Sequence, residues 1–256
     1  MAIIEKLEEL YKKGEYRQII SDVPNVQKLE IEDHPDDARI FLQVAWTHHQ
    51  LGEYDKSIPM MEEVAKYYEA SGDIGESARR GLAHGLLQGR GFIGSADLIM
   101  KEIPPSLIRD NVRMNLYILA VRKGLTIPAE EITSMIMNAL QTTPYATVNG
   151  HIINNGALAL YEARDQASVK PYLPILPGLI FTAIGIYRAT DTAKNHLAGV
   201  TFRASKICEA AGWKKLARIE AETSVGLWLE LVSSQGGERY QKNLEGAEAQ
   251  LKKLTR

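Results

Sequence analysis

The run Gly89-Arg90-Gly91-Phe92-Ile93-Gly94 fits by letter the G-x-G-x-x-G pattern, which brings backbone amides up to a pyrophosphate. That chemistry needs a strand before the first glycine and a helix after the last, so that a helix N-terminus meets the anion. Here the run follows Ser77 to Gln88, a stretch of helical periodicity, so the spacing predicts a turn between helices and no nucleotide site. Six histidines occur, at His34, His48, His49, His84, His151 and His196, and none stands in a recognised zinc spacing. His48 and His49 point about 100° apart on a helix and would not chelate one ion together; His48 takes a packing position and His49 faces another side. The single cysteine, Cys208, sits beside Ser205 and Gly212 on a packing face and reads as an inert small hydrophobe. With no G-x-S-x-G elbow, Walker lysine loop or zinc-protease helix, the expectation is a non-catalytic chain without metal or cofactor.

A second polar cluster, Asn149, His151, Asn154 and Asn155, shares its segment with Gly150 and Gly156. Such residues weaken a helix, which predicts a kinked and exposed segment; the alternative is that His151 and Asn154 point into a ligand cavity, where an enzyme would keep its site.

Composition narrows the function classes. Lys plus Arg number 30 against 32 Asp plus Glu, a formal net charge of −2, too balanced for a general nucleic-acid or membrane-surface binder. One cysteine forbids an internal disulfide, and the opening Met-Ala-Ile-Ile-Glu-Lys lacks the basic and apolar regions of a signal peptide, so a reducing cytoplasm is expected. From Pro171 to Tyr187 no residue is charged, but the run contains Pro174 and Pro177 and is shorter than the roughly 20 residues of a spanning helix. A core helix accounts for it, although Leu179 to Tyr187 is also the best strand candidate in the chain.

The positioning elements read as helices throughout. Ile3, Ile4, Leu7, Leu10 and Tyr11 form an apolar stripe that ends at Lys13-Gly14, and a new helical pattern begins at Glu15-Tyr16, which forces two antiparallel helices around a tight turn. The grammar returns with Phe41, Val44, Ala45 and His48, then Leu51-Gly52-Glu53-Tyr54, then Ser57, Met60, Met61 and Val64. Turn glycines recur at Gly14, Gly52, Gly91, Gly124 and Gly212, each followed five residues later by Ile19, Ser57, Ala96, Ala129 or Ala217. The last gap, 124 to 212, predicts irregular units at 145–188, and Tyr240, Leu244, Ala247, Leu251 and Leu254 make a capping stripe within 238–254.

The segment 38–69, with a small residue, Leu-Gly-x-Tyr and then Asp-Lys-Ser-Ile, resembles the helix-turn-helix signature of the tetratricopeptide-repeat (TPR) family, whose period is roughly 34 residues. It departs at Pro59, where the family carries an ordinary helix former, which puts the start of the second helix in question. The resemblance implies one all-α domain over 1–256: a right-handed superhelical solenoid of about six antiparallel helix pairs with a C-terminal cap. It also implies a concave groove lined by the first helix of each pair, holding a protein or peptide segment. Aligned on that face are Arg39, Leu42, Gln43, Trp46 and His49, then Asn111, Met114, Asn115, Ile118 and Arg122, with Phe202, Arg203 and Lys206 further on. The family's carboxylate clamp does not map here, because Trp46 and Ile118 occupy clamp asparagine positions. A ligand-responsive regulatory sensor is the second functional expectation.

Overall fold

A computed structural model describes residues 2–142, 147–190, 194–235 and 238–255. Pro144 and the start of the 145–188 range fall outside them. The described residues form thirteen α-helices and no strand, in two compact units, 1–125 and 126–256.

Unit 1 holds α1 (Ala2–Lys13), α2 (Tyr16–Asp22), α3 (Pro35–Gln50), α4 (Tyr54–Tyr67), α5 (Asp73–Gly85), α6 (Ile93–Glu102) and α7 (Leu107–Arg122). Each helix packs on its neighbours in sequence, and α1, α3 and α5 also pack on one another in that order. The core between them contains Leu7, Ile19, Val44, Ala45, Ile58, Met61, Val64 and Ala78.

Unit 2 holds α8 (Ala129–Thr142), α9 (Thr147–Glu162), α10 (Leu176–Ala189), α11 (Lys194–Ala210), α12 (Lys214–Gln235) and α13 (Glu238–Leu254), again packed neighbour on neighbour. The strand candidate Leu179 to Tyr187 lies inside α10, where Leu179, Ile180, Ala183, Ile184 and Ile186 are buried. The stretch Lys170–Ala189 has the length and apolarity to cross a membrane, and 44% of its most apolar 18-residue window is buried in the fold. Leu244 and Ala247 of α13 close over Trp228 and Leu231 of α12.

The five turn glycines have left-handed backbone, φ between 72° and 80°, a region that costs any residue with a Cβ. Four of the turns share one hydrogen-bond pattern. At Gly52 the glycine N–H donates to His49 O at 3.0 Å and the next N–H, of Glu53, to His48 O at 2.9 Å, the Schellman arrangement that satisfies the last helix carbonyls. The turn at Gly91 differs by one residue: Gly91 N–H reaches Leu87 O and Phe92 N–H reaches Leu86 O, because α5 runs on through a widened π turn, Leu86–Arg90. Ile19, Ser57, Ala96 and Ala217 have no exposed surface, and Ala129 is 3% exposed, as the glycine-plus-five spacing requires. Pro59 is solvent-exposed within α4, which starts at Tyr54 and runs unbroken to Tyr67, so a proline without an N–H is absorbed on the outer face.

Candidate peptide-binding groove

Two recesses in unit 1 share Gln43, Trp46 and Ser77. One, of about 180 Å³, is bounded by Ile4, Leu7 and Glu8 of α1, Arg39, Ile40 and Leu42 of α3, and Asp73 and Ile74 of α5. The other, of about 280 Å³, adds Tyr11 of α1, Arg80 and His84 of α5, and Val112 of α7. The walls are therefore the alternate helices α1, α3, α5 and α7.

Local sequence fixes this geometry. Trp46 donates its indole N–H to Ser77 Oγ at 3.1 Å, which ties α3 to α5 and leaves the ring as apolar area. Gly81 lets α5 come close: a Cβ there would collide with the Met61 thioether and lie 3.1 Å from Trp46 Cζ2. From the middle of α5, Arg79 reaches over the end of α4, donating to Tyr68 O at 2.9 Å and Ala65 O at 3.2 Å, and to Glu102 of α6 at 2.8 Å. The helix α7 is held to α6 by buried Arg113, whose guanidinium donates to Asp97 at 2.9 Å and to Tyr117 Oη at 2.8 Å, while Tyr117 donates to Asp97 at 2.8 Å.

Behind Trp46 lies a run of rings. His49 meets Trp46 edge to face at 5.3 Å, Tyr54 at 5.2 Å and His84 at 6.2 Å. Its Nδ1 is buried and has no hydrogen-bond partner among the described residues. Burial pushes the His49 pKa down, and it pushes His84 down to about 4, with His49 and Arg80 adding to the effect. Both imidazoles are accordingly neutral at pH 7. Tyr54 donates its hydroxyl to Gln88 Oε1 at 2.6 Å in the π turn, and Gly89 leaves room for the Tyr54 ring, since a Cβ would sit 2.9 Å from its Cγ.

The residues aligned on the groove face divide by helix. From α3, Arg39, Leu42, Gln43 and Trp46 line the recesses, while His49 is buried behind them. From α7, none of Asn111, Met114, Asn115, Ile118 or Arg122 lines either recess, and Val112 does instead. Met114 is fully buried and Ile118 is 6% exposed; Asn115 donates to Asn111 O at 3.1 Å within the helix. Sequence reasoning missed Ser77, Arg80 and Val112; Ser77 and Arg80 carried a signal, being polar residues one turn apart on the first helix of a pair.

In unit 2 the segment expected to be kinked and exposed is the unbroken helix α9. Asn149, Asn154 and Asn155 are 0%, 4% and 9% exposed, because α8, α10 and α11 enclose it with polar partners. Asn149 donates to Ala139 O at 2.8 Å, His151 Nδ1 pairs with Tyr187 Oη at 2.8 Å and stacks edgewise on His196 at 4.8 Å, and Arg203 reaches Asn155 Oδ1 at 3.4 Å. Gly150 makes room for the Tyr187 ring, 2.7 Å from where a Cβ would stand. Asn154 Oδ1 is buried with no partner among the described residues. Burial, then His196 and Arg203, push His151 down, and burial pushes the Tyr187 phenol far up. Lys206 lies over the Phe202 ring at 4.2 Å. Cys208 is fully buried, and burial with Glu220 nearby pushes its thiol up to about 11. Among the described residues no group of three His, Cys, Asp or Glu side chains could hold a metal ion. The run from Gly89 to Gly94 joins two helices, as the absence of a preceding strand requires.

No protein-family model matches the chain, and no curated protein matches it.

Proposed function

We propose that the chain is a non-catalytic adaptor, a TPR-like right-handed solenoid in which the unit 1 groove holds an extended segment of a partner protein. The observation that carries this reading is the pair of recesses that share Gln43, Trp46 and Ser77 and are walled by the alternate helices α1, α3, α5 and α7. Their chemistry suits a peptide. The Gln43 amide can donate to and accept from a backbone, the Trp46 ring offers apolar area, and Glu8, Arg39, Asp73 and Arg80 stand at the margins for charged side chains. A reduced, buried Cys208 and a near-neutral charge are compatible with a cytoplasmic protein partner better than with a nucleic acid.

The test is capture of partners from lysate by three baits: the native chain, Gln43→Ala/Trp46→Ala, and Asn115→Ala/Arg122→Ala. A partner held by the native chain and the α7 variant but lost by the α3 variant, with helicity unchanged in all, is the expected pattern. Retention by the Gln43/Trp46 variant would sink the groove assignment.

A second reading, a ligand-responsive sensor, is favoured by Asn154, whose buried Oδ1 has no partner among the described residues in a polar network spanning α9 to α11. A small ligand that satisfies it would raise the melting temperature with concentration, and Asn154→Leu would abolish that rise.

A further inference from the structure

Arg80 enters the larger recess from α5 with one donor unspent. Its Nε is buried and has no hydrogen-bond partner among the described residues; the Glu76 carboxylate one turn back, outside the recess lining, forms an ion pair with it at 3.6 Å, beyond hydrogen-bond reach. A guanidinium offers its donors in a flat fork that fits a carboxylate. The recess lining carries no carboxylate. His84, beside Arg80, is neutral, so Arg80 supplies the only full charge of that lining.

The remaining walls set the rings of Trp46, whose indole N–H is already spent on Ser77, and Tyr11, with Val112, beside the polar Gln43 and Ser77. An apolar cavity of roughly 150 Å³ is enough to hold benzene. At about 280 Å³ this recess has room for a ring and a substituent.

We propose that the recess between α1, α3, α5 and α7 binds an aromatic ring bearing a carboxylate, the ring against Trp46 and Tyr11 and the carboxylate on the Arg80 guanidinium. The same chemistry is presented by a free aromatic acid and by a chain that ends in an aromatic residue. The inference rests on the groove reading insofar as the recess is part of that groove.

The test is an NMR titration of the full chain with phenylacetate, N-acetylphenylalanine and N-acetylphenylalanine amide, reading the Trp46 indole N–H and the His84 ring. Both acids are expected to shift these signals, with the amide weaker by about 10- to 100-fold, the loss of one hydrogen bond to a charged group. Arg80→Gln is expected to bring the acids down to the amide, while Arg80→Lys retains part of the preference, which separates lost charge from lost fold. Tighter binding of N-acetylphenylalanine assigns the ligand to a chain end, and tighter binding of phenylacetate to a free acid. Equal binding of acid and amide, no binding of either acid, or unchanged acid affinity in Arg80→Gln overturns the proposal. Partner capture lost in Gln43→Ala/Trp46→Ala while the acids fail to bind would sink this inference alone; acids bound with no partner captured would sink the adaptor reading and leave this one standing.

Discussion

Gly75 is the position at which a single methyl group does most harm. It lies in the first turn of α5, and a Cβ there would overlap the Glu69 carbonyl oxygen and stand 2.7 Å from both Glu69 C and Tyr68 O. Every atom met is backbone, so no rotamer change relieves the overlap. Nor is that backbone free to retreat, because Arg79 donates to Tyr68 O and the Tyr68 hydroxyl donates to Ile31 O at 2.8 Å. Overpacking of this kind costs about 3 kcal/mol at its upper range, and alanine returns at most about 1 kcal/mol of helix propensity. Gly75→Ala should therefore destabilise unit 1 by about 2 kcal/mol. The matched control is Gly226 in α12, where nothing lies within 4 Å of the added methyl and alanine should stabilise by about 1 kcal/mol. Urea unfolding followed by circular dichroism reads both as midpoint shifts of opposite sign. A Gly75→Ala chain as stable as the native one would refute the argument, since it would mean that α5 is not docked on the 68–69 backbone.

The acid response has a definite sign. His84 is held below its ordinary value, so its contribution is fully present above pH 6.5 and is lost as pH falls from there towards about 4, by at most about 3 kcal/mol; His84→Gln should flatten acid unfolding in that window, measured by urea midpoints at several pH values. Removing Arg79 strands the carbonyls of Ala65 and Tyr68, and Arg79→Ala should cost about 2 kcal/mol or more, read by the same unfolding curves. Gly52→Ala, forced into left-handed backbone at φ 75°, should cost about 1 kcal/mol although open space surrounds it.

Much of the fold was legible because its rules are local. A left-handed glycine and a buried residue five positions later sit on one short stretch of chain, and in all five such pairs the glycine makes the turn and the partner is buried in the helix that follows. The extra residue of the π turn after Gly85 was not legible, since its Gln88 is held by Tyr54 of another helix. On α3 the local signature fixes the helix phase, and Arg39, Leu42, Gln43 and Trp46 line the recesses together. On α7 the phase follows from the Asp97–Arg113–Tyr117 network with α6, and Val112 is the residue that reaches a recess. The polar α9 was misread because the partners that meet Asn149, His151 and Asn155 come from α8, α10 and α11, and residue type alone gave only the cost of burying polar groups.

The central claim is that the surface shared by Gln43, Trp46 and Ser77 is the one a partner occupies. Photo-crosslinking from position 43, with position 56 on exposed Lys56 of α4 as reference, measures it directly. The account predicts one partner adduct from position 43 that disappears when Trp46→Ala is added and none from position 56; an adduct from position 56 alone, or one from position 43 indifferent to Trp46, would contradict it.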